Sequence, residues 1–253
     1  MQIDLSGRLA LVTGAAGELG RVITRTLAGC GADVVIHYHA NRDMAQRLLE
    51  EVRAAGRRAI TVQADVTDED SVRQMRQQVA DKLGDPDILV TNAVIQYAWT
   101  SVLEQPSKDY ESQFASCVLH NVLMAQAFVP AMVQRRWGRI IGINTECAMQ
   151  CHPSQSAYVS GKRGMDGLLR VLAAEVGPHN ITVNQVAPGW MISDKFRAAG
   201  TQRQPEYENL IPLRHRGEDQ DVANAVAFLA SDLAAFITGV YLPVCGGNVM
   251  PRI

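Results

Sequence analysis

The 253-residue sequence contains no run of basic residues, and its 24 lysines and arginines are offset by 26 acids, for a net charge of −2. That balance argues against nucleic acid and against an anionic membrane surface as partners. No apolar stretch reaches the ~18 residues that a membrane span needs. Met1-Gln2-Ile3-Asp4 lacks a basic segment leading into an apolar core, so secretion is not expected either. A disulfide framework is also missing: the cysteines (Cys30, Cys117, Cys147, Cys151, Cys245) are odd in number and dispersed. Only Cys147 and Cys151 lie close together, and no second Cys or His pair at zinc-like spacing accompanies them, so no metal site is expected. Reduced thiols in a cytoplasmic protein are the expectation. No internal repeat, low-complexity tract or linker divides the chain, which predicts one domain over residues 1–253.

What the chain does have is 47% hydrophobic residues in a regular alternation. Short apolar runs at Arg8–Thr13, Asp33–Tyr38, Ala59–Gln63, Asp87–Thr91, Arg139–Asn144, Ile181–Val186 and Val240–Val244 predict about seven strands. Amphipathic stretches between them predict helices: one to about Ala28, then Arg42–Ala55, Asp68–Lys82, a long Lys108–Arg135, Ala157–Val176 and Glu218–Leu229. In the long helix Phe114, Cys117, Val118, Val122, Ala125, Val129 and Met132 recur at helical spacing. Strands that are continuous apolar runs, each followed by a helix, indicate an α/β fold: a Rossmann-type, doubly wound parallel sheet with helices on both faces. Pro188-Gly189 opens an irregular segment, read as a substrate lid over about 190–212.

Thr13-Gly14-Ala15-Ala16-Gly17-Glu18-Leu19-Gly20 falls between the first strand and the first helix. Glycines there allow a tight turn and a close backbone approach to a pyrophosphate, whose charge the helix N-terminus meets. Tyr158 and Lys162 stand four apart on a predicted helix, so their side chains share one face. An ammonium close to a phenol favours the phenolate and lowers its pKa, making the phenol a usable acid or base. At the end of the second strand, where a carboxylate would accept bonds from ribose hydroxyls and repel a 2′-phosphate, the chain has Tyr38, followed by His39 and Arg42. With no acid and a guanidinium near, NADP(H) is favoured over NAD(H).

These motifs resemble those of the short-chain dehydrogenase/reductase family in its single-domain form, like the 3-oxoacyl-carrier-protein reductases. The likeness covers nearly the whole chain. It includes Asp65-Val66, Asn92-Ala93, Asn121, Tyr158-x-x-x-Lys162, Pro188-Gly189, Val222-Ala223, Phe228-Leu229-Ala230-Ser231, Thr238-Gly239 and Gly246-Gly247. It implies a catalytic set of Asn121, Thr145, Tyr158 and Lys162. Tyr158 would exchange a proton with the substrate oxygen, Lys162 would tune it and hold the nicotinamide ribose, and Asn121 would hold a water that relays protons. Cofactor contacts would come from Gly14, Ala16, Gly17, Glu18, Leu19, Gly20, Tyr38, His39, Arg42, Asp65, Val66, Asn92, Ala93, Tyr158, Lys162, Pro188, Gly189, Met191 and Ser193. Asp65 would reach the adenine edge or else cap the following helix.

Three positions depart from the family pattern: Glu18 and Val94 in place of glycine, and Thr145 in place of serine. A threonine hydroxyl makes the same hydrogen bond, so Thr145 reads as a functional replacement. Gln96, Tyr97, Glu146, His152 and Trp190 are the substrate candidates, and their mix of aromatic and polar groups suits a small carbonyl or alcohol. Basic lid residues (Lys195, Arg197, Arg203) leave an acidic substrate or an acyl carrier open. The expected function is an NADP(H)-dependent oxidoreductase acting on a ketone or secondary alcohol, 3-oxoacyl, polar or sugar-like. The competing reading is a nucleotide-binding sensor or scaffold with little catalysis. The resemblance also implies a homo-oligomer, tetramer or dimer, assembled through the long helix and the Tyr158 helix.

Overall fold

A computed structural model describes residues 2–251. The strands are β1 (Leu9–Val12), β2 (Asp33–Tyr38), β3 (Ala59–Gln63), β4 (Ile88–Thr91), β5 (Gly138–Ile143), β6 (Ile181–Pro188) and β7 (Tyr241–Val244). They form one sheet in the order β3-β2-β1-β4-β5-β6-β7, with every pair parallel. Because successive side chains on a strand alternate faces, Ala10 and Val12 of β1 enter one core layer and Leu9 and Leu11 the other. The first layer is closed by α1 (Glu18–Gly29), α2 (Arg42–Ala54) and α10 (Asp219–Ala230). The second is closed by α3 (Glu69–Lys82), α5 (His120–Arg135) and α7 (Ser156–Val176). Strand order reverses between β1 and β4, and ligands of doubly wound sheets bind in the crevice beyond that switch point.

All seven predicted strands form, with ends displaced by a residue or two. The long helix differs. It runs as α4 (Ser107–Phe114), a π-turn at Ala115–Leu119, then α5. A π-turn inserts one extra residue and rotates the helix phase; of the predicted apolar face, Cys117, Val129 and Met132 are buried in the second core layer. Phe114, expected on the packed side, is 59% exposed, while Gln113, Ser116, Cys117, His120 and Asn121 are buried. By length and composition Ser107–Arg135 is apolar enough to cross a bilayer, but Met124, Phe128 and Met132 pack into the second core layer.

Three short helices escaped the sequence reading: α6 (Cys147–Gln150) after β5, and α8 (Asp194–Ala198) and α9 (Pro205–Glu208) inside the lid. Each is too short to show a period. Gly161 lets α7 lie against α4, since a Cβ there would come 2.8 Å from the Gln113 carbonyl oxygen. That close packing sets the height of Tyr158 and Lys162, which flank it on α7.

Candidate active site

The glycine loop is held from both neighbouring strands. Gly14 takes φ +62°, and its N–H donates to His37 Nδ1 at 2.9 Å. With Nδ1 accepting, the ring proton is on Nε2, which donates to the Ala64 carbonyl at 3.1 Å. Burial pushes His37 down to about 4, so it stays neutral and keeps that acceptor. From the β4 side, Asn92 Nδ2 donates to the Thr13 and Gly14 carbonyls at 3.0 and 3.2 Å, and Thr13 Oγ1 accepts from the Asn92 and Ala93 N–H groups. A Cβ on Gly20 would stand 2.2 Å from the Gly14 carbonyl. Gly17 is the N-cap of α1 and offers no capping side chain, leaving the first N–H groups of the helix for an anion. A dinucleotide pyrophosphate fits this cradle.

The loop lines a cleft of about 900 Å³ that also takes in Ala16, Leu19, Tyr38, His39, Asp65, Val66, Ala93, Pro188, Gly189 and Met191. Arg42 and Ser193 are not part of its wall. Arg42 opens α2 in solvent, and Ser193 is the N-cap of α8. Asp65 lines the cleft but does not cap α3: its carboxylate closes a local turn on Thr67, and Asp68 makes the cap to the Ser71 N–H at 2.7 Å. Glu18 lines the cleft beside Asp219. Burial, reinforced by the charges of Glu18 and Asp194, pushes the Asp219 carboxyl up to about 6.

At the other end, Lys162 is 4% exposed and its Nζ donates to the Ile143 carbonyl at 2.6 Å, with the Tyr158 ring centroid 5.8 Å away. Burial raises the Tyr158 phenol well above its usual value, with the Thr145 hydroxyl working against it, and lowers the Lys162 ammonium. The expected lowering of the phenol by lysine is therefore not what this geometry produces. The ammonium is directed at a backbone carbonyl, and burial dominates. Tyr158 is a protonated phenol here, poised as a donor.

Thr145 is fixed behind it. Its N–H bonds Asn144 Oδ1 at 2.9 Å, its carbonyl accepts from the Tyr241 hydroxyl, and its Oγ1 accepts from the Cys147 N–H at 3.2 Å. Asn144 Nδ2 in turn donates to Gln185 Oε1 at 2.6 Å and to the Lys162 carbonyl at 3.2 Å, tying Thr145 to α7 and β6.

Asn121 makes no direct hydrogen bond to this group among the described residues. Its Oδ1 accepts from Thr91 Oγ1 at 2.6 Å and its Nδ2 donates to the Cys117 carbonyl at 2.7 Å, so the amide braces the π-turn against β4. It is absent from the cleft wall, whereas Ser116 is present. Cys117, one turn earlier, is buried in the π-turn with its thiol 3.9 Å from Gln113 Oε1. The i, i+4 relation between Cys117 and Asn121 was the available signal, but the phase shift was not readable from it.

A second cavity of about 530 Å³ opens beyond Thr145 and Tyr158, and all five substrate candidates, Gln96, Tyr97, Glu146, His152 and Trp190, line it. Trp99 stacks on Tyr158 with centroids 6.0 Å apart, and the Tyr97 hydroxyl accepts from the Tyr158 N–H at 2.7 Å. Glu146, 3% exposed, accepts from the Tyr207 hydroxyl at 2.6 Å and from Asn248 Nδ2 at 3.0 Å. The lid is pinned by Arg216, 3% exposed, which donates to the carbonyls of Trp190, Met191 and Gln202 and lies over the rings of Trp190 and Phe196. Sequence reasoning missed Arg216, Tyr207 and Asn248 because no local pattern marks them. Of the basic lid residues, Arg197 pairs with Asp194 and Glu218, and Arg203 with Glu208. Lys195 lies on the wall of the first cleft.

The family described as enoyl-(acyl carrier protein) reductase matches residues 14–248. The 3-oxoacyl-(acyl-carrier-protein) reductase of Staphylococcus epidermidis is 36% identical over 251 residues, spanning 95% of this chain and 98% of that protein. The enzyme of the same name from Pseudomonas aeruginosa is 34% identical over 249 residues, covering 98% and 100% of the two chains. Among solved structures, "a putative gluconate dehydrogenase" from Agrobacterium tumefaciens superposes over 100% of both chains with a TM-score of 0.91 at 26% identity.

Proposed function

The chain belongs to the short-chain dehydrogenase/reductase family of oxidoreductases, and from that premise we propose that it moves hydride between NADP(H) and a ketone or secondary alcohol, with Tyr158 handling the proton. The observation that carries this reading is that Thr145 and Tyr158 line both the nucleotide cleft and the second cavity. A carbonyl entering the second cavity therefore meets two hydroxyls where the two spaces join.

Gly14, Gly17, Gly20 and the α1 N-terminus would hold the pyrophosphate, Tyr38 and His39 the adenosine side, and Lys162 the nicotinamide side. What the bound nicotinamide supplies is hydride. Thr145 Oγ donates to the carbonyl oxygen and orients it, and Tyr158 gives that oxygen its phenolic proton as negative charge develops. Lys162, buried beside Tyr158 with its Nζ bonded to the Ile143 carbonyl, stabilises the phenolate left behind, which takes its next proton from solvent once the product has gone. NADP(H) is favoured because β2 ends without a carboxylate. We read the protein as cytoplasmic and homo-oligomeric, acting on a small molecule.

The test is NADPH and NADH oxidation by the purified protein against a panel of ketones. Turnover with at least one ketone, faster with NADPH, is expected. Tight nucleotide binding with no oxidation across the panel would support a nucleotide-binding sensor instead.

A further inference from the structure

Glu146 is a buried carboxylate on the wall of the substrate cavity, and it has no cationic partner among the described residues. Neutral donors hold it instead. Tyr207 Oη–H bonds Oε1 at 2.6 Å and Asn248 Nδ2–H bonds Oε2 at 3.0 Å. A carboxylate has about four lone-pair directions, so these two donors leave acceptor capacity on a side chain that forms part of the cavity wall. A second acceptor in the same wall is Gln155 Oε1, which is buried and has no hydrogen-bond partner. A cavity furnished with unfilled acceptors is complementary to a ligand that brings donors.

We infer that Glu146 is a specificity-determining residue, and that the substrate is a neutral polyhydroxylated ketone or alcohol whose hydroxyl groups donate to Glu146 and Gln155. This deepens the proposed function and rests on it.

Three observations narrow the class. Glu146 follows Thr145 directly in the chain, so the hydroxyl it reads is carried near the reacting carbon. Trp99, stacked on Tyr158, and Trp190, set edge-on to Tyr207 at 5.5 Å, give the cavity flat apolar walls suited to the C–H faces of a polyol. A substrate with its own carboxylate or phosphate would face the Glu146 charge in a poorly solvated space. Arg197 and Arg203 cannot offset that repulsion, because Asp194, Glu208 and Glu218 already pair with them. No lysine or arginine lines this wall, and its histidine, His152, is exposed to water. A plain acyl chain fails for the opposite reason: it would desolvate Glu146 and Gln155 without offering either a donor.

The experiment compares kcat/KM with NADPH for neutral ketoses (D-fructose, D-xylulose, dihydroxyacetone), for 5-keto-D-gluconate and for 2-hexanone. At least one ketose should exceed both other probes by tenfold or more. Glu146→Gln removes the charge and keeps the shape, so the ratio of 5-keto-D-gluconate to the best ketose should rise at least tenfold. A merely structural role would not move that ratio. NADPH titration checks that the variant is folded. Should it not fold, Tyr207→Phe, which loosens Glu146 while leaving the charge, should raise KM for the ketose more than it lowers kcat. Turnover of 2-hexanone or 5-keto-D-gluconate at or above the ketoses, or an unchanged ratio in Glu146→Gln, would overturn the inference and leave the oxidoreductase reading standing. No turnover of any carbonyl by the NADPH-bound wild type would remove both.

Discussion

The glycine loop at the nucleotide end is held by bonds from its two flanking strands, Gly14 N–H to His37 and Asn92 to the Thr13 and Gly14 carbonyls. The substrate cavity is closed by side chains from distant stretches, with Glu146 gripped by Tyr207 across 61 residues and by Asn248 across 102. The first region presents backbone N–H groups, which every sequence has, shaped by where side chains are left out. The second presents acceptors, aromatic faces and one charge, all of which can be exchanged without touching the sheet. A scaffold built this way can keep its cofactor while its substrate changes. The sharpest differences between this chain and its relatives should therefore lie around Glu146 and not around Gly14.

Gly20→Ala should break the first region outright. Its Cβ would meet the Gly14 carbonyl at 2.2 Å and Ala15 Cα at 2.9 Å, so backbone must move, at a cost of about 3 kcal/mol. NADPH affinity, read by fluorescence titration, should fall about a hundredfold, and near-normal affinity would show that the loop is not the cradle. Asp219 is the side-chain element of this end. Its carboxyl is raised from 3.8 to about 6, so the native state holds the proton more tightly than the unfolded chain. The stabilisation is complete below the ordinary value and is lost as pH rises through about 6, a span of about 3 kcal/mol at most. Asp219→Asn should flatten the fall in stability between pH 4 and 7 in urea melts; a slope equal to wild type would place the titration elsewhere. Tyr38→Asp is the mildest change. A new carboxylate at the end of β2 should shift the NADPH-to-NADH preference about tenfold towards NADH, or about 1.4 kcal/mol, as competitive titrations would show.

The difference between the two regions also decided what could be read in advance. Strands, most helices, the loop and the Tyr158–Lys162 face follow from periods and local motifs, and the parallel sheet covered on both faces follows from their alternation; the strand order is read only from the structure. The bonds of Asn121 to Thr91 and to the Cys117 carbonyl were not legible, because a single added residue in the π-turn rotates everything after it and no composition signal marks that insertion. Asp65 and Asp68, three apart, both suit a helix start, and only the backbone shows that Asp68 is the cap. Lys162 was expected to act on the phenol through proximity, but its reach to the Ile143 carbonyl depends on how deeply α7 sits against β5. Arg216, Tyr207 and Asn248 were invisible because their partners lie far off in sequence. Their importance arises only when the lid folds over β6.

The central claim is that Tyr158 supplies the proton where the two cavities meet. Tyr158→Phe removes one oxygen atom and preserves the ring that stacks on Trp99. With the best ketone from the panel, turnover should fall by about a thousandfold, while the dissociation constant for NADPH stays within about threefold of wild type. Activity close to wild type in the variant, or loss of nucleotide binding in step with turnover, would contradict the account.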